Sequence, residues 1–234
     1  MLNSRELRYD YGIGMKKTIS AIILCMTIFT HSVMAWDIES VSGRFGTLII
    51  NNQTDELPVI PVVNTIGLSF GLSIGNNGFF SLEPALDLYW TNYKWENNHA
   101  VPTEVESGSG NNSWVLGFIL ELPWTIRVEF GNKMGAAFSL GTAFVMRAAF
   151  AADKSAGIKD IMAENKASII QYFWQKGRWF YPSSSLRFKI NLINNFDFSV
   201  NVRALLPVYN AWTNPDHFFD EGMLHIFMSL AVGL

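Results

Sequence analysis

The sequence predicts an all-β chain, an eight-stranded antiparallel up-and-down barrel that crosses a membrane with its strands. Three observations predict it. Long segments alternate apolar and polar side chains with period two. Tight turns alternate with long polar connections along the chain. Segment after segment carries bulky Phe, Leu and Ile on one face, almost free of charge, as a lipid-facing band must. Composition agrees. With 49% hydrophobic and 16% charged residues the chain is far from the profile of a disordered one. A net charge of -3 supplies no basic surface for nucleic acid, and a single cysteine excludes both an internal disulfide framework and a cysteine-based zinc site.

The elements follow in chain order. Met15-Lys16-Lys17, the apolar run from Ile19 to Phe29 and the small-residue end Val33-Met34-Ala35 have the layout of a secretory signal peptide. The run is too short to cross a bilayer as a helix. Residues 1–14 lie upstream of a good start and read as a misplaced start codon or a long n-region. The chain therefore divides into a signal, 1–35, and an outer-membrane β-barrel, 36–234. Removing the signal takes away four basic and two acidic residues and moves the net charge from -3 to -5. Cys25 lies within the signal; reading it as a lipoprotein cysteine requires a smaller residue than Leu24 before it.

Residues 37–50 read as a weaker first strand. In 65–75, Ile66, Leu68, Phe70, Leu72 and Ile74 share a face opposite Gly, Ser and Thr. In 80–91, Phe80, Leu82, Pro84, Leu86, Leu88 and Trp90 oppose Ser81, Glu83, Ala85, Asp87 and Tyr89. Residues 114–130 set nine apolar side chains, Trp114 to Phe130, against a face with Gly117, Glu121, Arg127 and Glu129. In 136–150, Phe138, Leu140, Phe144, Met146 and Phe150 oppose Ser139, Gly141 and Arg147. Arg187, Lys189 and Asn191 alternate through 186–192; Asp197, Ser199, Asn201 and Arg203 through 196–208. Residues 224–234 close the set, with His225 and Ser229 on the polar side.

Asn76-Asn77-Gly78, Gly131-Asn132-Lys133 and Asn194-Asn195 read as tight hairpin turns. Longer polar stretches fall near 51–60, 94–113, 151–177 and 210–222. Short turns at one end and long loops at the other place both termini in the periplasm and four loops outside the cell. Ile158, Ile161, Met162 and Ala163 have helical spacing within the third long loop.

A soluble barrel would bury the apolar face inside. Against that, two polar faces consist mainly of Gly, Ser, Thr and Ala, which suits a crowded lumen better than a solvated surface. The strands are also far longer than the roughly 5–6 residues usual in soluble proteins. Trp90, Trp95, Trp114, Trp174, Trp179 and Trp212 gather toward the long-loop end, as interface aromatics do. The expected lumen is narrow, and its charges separate by strand. Glu83, Asp87 and Glu121 lie on the third and fourth, with Arg127 and Glu129 further along the fourth. Arg147, Arg187, Lys189 and Arg203 lie on the fifth to seventh, with His225 on the last. Met across a narrow barrel they form a self-satisfied plug; held apart they form a pore or pocket with a transverse field, for which the small residues leave room. Pro84 and Pro123 lie inside neighbouring strands, facing opposite ways. They read as tolerated bulges, or as a weakened seam that opens laterally to the bilayer.

Signal peptide, eight strands, short turns, long loops and wall prolines together resemble the OmpW-type small outer-membrane barrels and, more loosely, the OmpX/OmpA-type barrels. The resemblance is architectural and covers the whole mature chain. It implies passage of small hydrophobic molecules through the lumen with a side exit. The lumen charges and the terminal Leu234, where proteobacterial barrels usually end in an aromatic, depart from that pattern. The alternatives are a surface-exposed adhesin or structural barrel acting through its outer loops, and a narrow porin. Expected partners are outer-membrane lipid, the barrel assembly machinery, a small hydrophobic solute and a host ligand for the loops. The acidic, glycine- and asparagine-rich loop 94–113 is the best placed for the last. An enzyme is not expected: Ser229 is four residues from His225, about 13 Å along a strand, too far for a nucleophile–base pair. Nor is a cofactor or metal, because no phosphate loop or metal-ligand spacing appears.

Overall fold

The computed structural model describes residues 37–52, 61–73, 80–96, 98–103, 112–131, 133–151, 159–193 and 195–234. The strands are β1 (Asp37–Ile50), β2 (Val62–Ser73), β3 (Phe80–Leu82), β4 (Ala85–Glu96), β5 (His99–Thr103), β6 (Asn112–Phe130), β7 (Met134–Ala151), β8 (Phe180–Ile193), β9 (Phe196–Leu205) and β10 (Met223–Gly233). Two helices, α1 (Lys159–Trp174) and α2 (Asn210–Thr213), and a 3-10 turn at Pro215–His217 lie in the connections. Neighbouring strands from β2 round to β10 and β1 pair antiparallel, and β1 bonds to both β10 and β2, so the sheet closes on itself. The segments β3 and β4 share the partners β2 and β6 and together make one stave. The closed ring therefore has the eight staves expected, with β5 folded back on β4 as an extra strand at the rim.

Burial settles which face looks inward. Along β2, the odd-numbered residues from Val63 to Ser73 are buried and the even-numbered ones from Val62 to Phe70 are exposed. The same alternation puts Phe138, Leu140, Leu186, Phe188, Val200, Val202, Ile226 and Met228 on the outer surface. The outer wall is hydrocarbon and the polar faces look into the lumen.

The wall prolines keep the ladder in step. Ser69 pairs with Ala85 and Leu72 with Leu82, so β2 meets β4 and β3 in one register. On the other side Ala85 pairs with Glu121 and Leu82 with Trp124, again in one register. No residue is inserted, so the interruption at Glu83-Pro84 is not the bulge expected. It is stitched on both sides: Phe70 N donates to Pro84 O at 3.0 Å and Glu83 N to Pro123 O at 3.1 Å. Pro123 itself stays within β6 opposite Gly141.

The remaining differences from the sequence reading have local causes. β8 starts at Phe180, six residues before the predicted strand, because Tyr181-Pro182-Ser183-Ser184-Ser185 carries no apolar alternation. Its pairing with β7 and β9 holds it extended nonetheless, and Pro182 O accepts from Leu206 N at 2.9 Å. β9 stops at Leu205, just before Pro207. Part of the predicted loop 94–113 is the β4–β5 hairpin, with Tyr93 opposite Pro102. The helix expected in the third long loop forms as α1 but runs to Trp174 and packs through Ile169, Tyr172 and Phe173; Ile158 lies outside the described residues, as do Asn76-Asn77-Gly78. Of the other two turns, Gly131 (φ 66°) and Asn195 (φ 67°) take the left-handed conformation that tight hairpins need.

Candidate functional site

The lumen is filled in tiers. At mid-height Arg203, with no exposed surface, reaches Asp87 at 2.6 Å and ion-pairs with Glu121. Arg44 approaches the same Asp87 at 3.4 Å and Glu121 at 4.0 Å, and its guanidinium lies 4.0 Å from the centre of the Phe227 ring. His225 completes this tier. Its Nδ1 faces Arg203, which can only donate, so Nδ1 accepts and Nε2 carries the proton that goes to Thr65 Oγ1 at 2.7 Å. The imidazole is therefore a neutral bridge. Ser229 bonds to Ser199 at 2.6 Å instead of to His225.

A second tier lies toward the short turns. Glu83 is held by Arg127 at 3.0 Å and by Arg187, while Arg127 also donates to Glu39 and Arg187 to Asn201 at 2.7 Å. At that mouth Lys189 lies between Glu129 at 2.8 Å and Asp197 at 3.6 Å. A cavity of about 360 Å³ opens there, lined by these same paired charges.

Toward the loops the lumen becomes apolar, with Leu48, Ile50, Val63, Ile119, Val145 and Leu205 packed around Tyr89, Tyr181 and Tyr209. Arg147, expected among the carboxylates, instead donates to two phenols, Tyr89 at 2.9 Å and Tyr181 at 3.2 Å. The hydrogen bonds beyond it run one way. Tyr209 gives its only proton to Glu221 at 2.8 Å, so Tyr181 donates to Tyr209 at 3.0 Å. Glu221 also accepts from Tyr172 of α1 and from Arg178 at 3.2 Å. A chain of donors thus leads from Arg147 inside the barrel to the cap formed by α1. Burial, and then the neighbouring Glu221 carboxylate, push the Tyr172 and Tyr209 phenols above their ordinary value. Burial pulls the Arg178 guanidinium down, but Glu221 outweighs it and the net shift is upward.

Of the small lumen residues, Ser69, Gly71 and Ala137 line the turn-end cavity, whereas Gly67 and Gly117 leave no open space. A Cβ at Gly117 would stand 2.1 Å from the Tyr89 ring, and one at Gly67 would stand 2.1 Å from Asp87 Oδ1. These glycines admit large neighbours rather than a channel. Of the six tryptophans placed at the loop end, Trp90, Trp114, Trp174, Trp179 and Trp212 are exposed, whereas Trp95 turns inward, its ring 5.9 Å edge-on from that of Tyr172. Above this ring pair the loops enclose a polar cavity of about 660 Å³. Among the described residues no three His, Cys, Asp or Glu side chains are grouped to hold a metal ion.

Arg44, Glu39, Arg178, Glu221 and the tyrosine set were not singled out from the sequence. Arg44 lies on the weakly patterned first strand, where one inward charge follows Ser40 and Ser42 on the same face. Of the tyrosines, Tyr89 alternates correctly but carries no charge to mark it, and Tyr172, Tyr181 and Tyr209 lie outside the segments that alternate.

Filled lumen, apolar outer wall and closed antiparallel ring define a small eight-stranded β-barrel of the outer-membrane type. No protein-family model matches the chain, and no curated protein matches it in sequence. A solved structure at a TM-score of 0.50 shares the fold, and others are similar at lower scores. Neisserial surface protein A is 6% identical with a TM-score of 0.50, over 85% of this chain and 99% of that one. The outer membrane protein OprG of Pseudomonas aeruginosa is 10% identical with a TM-score of 0.44, over 84% and 94%. The outer membrane enzyme PagL is 12% identical with a TM-score of 0.35, over 83% and 99%. At 6% identity the likeness to the Neisserial protein speaks for architecture alone.

Proposed function

We propose that the protein is a bacterial outer-membrane barrel whose lumen is a structural plug and whose work is done at the loop-end surface, facing outside the cell with the termini in the periplasm. The observation that carries this reading is Arg203, unexposed and bonded to Asp87 and Glu121 at mid-lumen, with Arg44 and His225 filling the rest of the section. A solute crossing there would have to separate buried ion pairs, and breaking one typically costs about 3–5 kcal/mol. The experiment is reconstitution in liposomes. Barrels that stay closed to ions and small solutes support a surface role; steady conductance or uptake overturns it.

The same vesicles test the rival expected from the OmpW-type resemblance, passage of an apolar solute with a lateral exit beside Pro84 and Pro123. That route predicts uptake that falls when both prolines are replaced while the barrel stays folded; unchanged uptake removes it. A non-catalytic role is supported by Ser229, which bonds to Ser199 rather than to His225, and by His225 Nε2, which donates to the Thr65 hydroxyl and so takes no proton from it.

A further inference from the structure

We infer that the loop-end cavity is a binding site for a saccharide, an inference that rests on the surface role proposed above. The cavity lies between the β4–β5 hairpin, the C-terminal end of α1, the turn after it and the segment from Thr213 to Asp220. At about 660 Å³ it is within the roughly 300–1,000 Å³ of small-molecule sites. Its chemistry is the argument.

Neutral hydrogen-bonding side chains dominate the lining: Asn98, Ser168, Gln171, Gln175, Thr213 and Asn214. Each amide presents a donor and an acceptor side by side, which matches a pair of adjacent hydroxyls. The charged lining residues balance, Glu96 and Asp220 against Lys176 and Arg178, and two of them are already engaged, Glu96 with Lys94 at 2.8 Å and Arg178 with Glu221 at 3.2 Å. A strongly charged ligand therefore has no advantage over a hydroxyl-rich neutral one. Three rings, Trp95, His99 and Tyr172, cluster at one side, with Trp95 and His99 each edge-on to Tyr172 at 5.9 and 5.7 Å. Such a wall suits the C–H face of a sugar ring, as it suits other bodies with an apolar face and polar edges.

A separate observation points to a ligand. Asn52, 4% exposed, lines the cavity, and its buried Nδ2 has no partner among the described residues. Native proteins rarely leave a buried donor unsatisfied, and one lining a polar cavity is where a ligand oxygen belongs. The site is also rigid before binding, because the Tyr172 wall is fastened by Glu221 to the barrel interior. Preorganisation of this kind lowers the entropy lost on binding.

The saccharide has two sources, the carbohydrate of neighbouring outer-leaflet glycolipid and a free glycan from outside the cell. Isothermal titration of the full-length protein in detergent, shown folded by heat-modifiable migration, separates them with four probes: lipopolysaccharide core oligosaccharide, maltotetraose, chitotetraose and a hyaluronan tetrasaccharide. Binding of the first alone assigns the glycolipid source; binding of any other assigns the external one. In either case Gln171→Ala and Asn214→Ala should each weaken binding about 3- to 10-fold, the effect of one lost hydrogen bond. Lys133→Ala, at the opposite end of the barrel, should leave it unchanged. No binding of any probe to the folded barrel overturns the inference, as does binding that both cavity variants leave intact. If the liposomes stay sealed and no probe binds, this inference falls alone; if they leak, the surface role falls first.

Discussion

Replacing Arg203 tests the plug most directly. Its guanidinium is unexposed and holds both Asp87 and Glu121, neither more than 4% exposed at the side chain. Arg203→Met keeps most of the volume and removes the charge. Two buried carboxylates are then left with Arg44 as their nearest cation, at 3.4 Å from Asp87 and 4.0 Å from Glu121. Removing one partner of a buried pair costs about 3–5 kcal/mol, because the other charge stays desolvated. One guanidinium cannot serve two carboxylates as well as two did, so the upper part of that range is expected. The network already carries flaws: Arg203 Nε and Asp87 Oδ1 have no hydrogen-bond partner. Its worth is therefore mostly the penalty for breaking it, and adding Arg44→Met, Asp87→Asn and Glu121→Gln to Arg203→Met, which leaves none of these four charges buried without a partner, should restore most of the loss. Urea unfolding in detergent micelles, followed by tryptophan fluorescence and by gel mobility, measures both steps. A single variant that costs less than about 1 kcal/mol, the scale of an exposed pair, would refute the claim that these charges are buried and coupled.

Four further outcomes follow from the same geometry. Gly117→Ala places a methyl 2.1 Å from the Tyr89 ring and should destabilise by about 1–3 kcal/mol in the same urea assay. Gly43→Ala, whose Cβ meets nothing within 4 Å, should be neutral or gain about 0.4–1 kcal/mol by restricting the unfolded chain. Glu221→Ala should unfasten α1, which limited proteolysis will show as new cleavage between α1 and β8 while heat-modifiable migration persists. Because the Tyr172 and Tyr209 phenols are raised above 10.0, the unfolded chain loses these protons first as pH rises. The cap should accordingly hold its stability below about pH 10 and lose it above, a loss visible as tyrosinate absorbance that appears only together with unfolding.

The barrel was legible because two-residue alternation survives wherever one face must meet hydrocarbon and the other a crowded interior. Phe138 to Phe150 and Leu224 to Val232 could be divided into two faces from that pattern alone, while which face looks inward rested on strand length and on the small polar residues. β8 could not be traced to its start, because Tyr181-Pro182-Ser183 is extended only through its neighbours' hydrogen bonds. The sequence separated Glu83, Asp87 and Glu121 from Arg187 and Arg203 by strand, and the narrow lumen brings them together. Arg147 lies on the same inward face, yet its partners are phenols. Which acceptor a lumen arginine finds depends on height along the axis, which alternation does not encode. The loop-end cavity was invisible for a similar reason: its lining comes from four separate connections whose sequences share no period.

The two halves of the interior differ in what they must accomplish. The outer wall is apolar, and in lipid that face gains nothing from burial that the acyl chains do not already give it. What distinguishes one packing of the staves from another is then inside. In the turn-end half that discrimination is ionic, with Glu83, Asp87 and Glu121 each facing arginines supplied from across the lumen, so a stave slipped by one residue would point them into hydrocarbon. In the loop-end half it is the run of donors from Arg147 through Tyr181 and Tyr209 to Glu221. That run has a cation at one end and a carboxylate at the other, so each phenol is polarised in the same sense. Its last acceptor also holds Tyr172 and Arg178, which form one side of the loop-end cavity. The position of that wall is thus tied to the barrel interior rather than to the loops, and a loop sequence can vary around it without moving it.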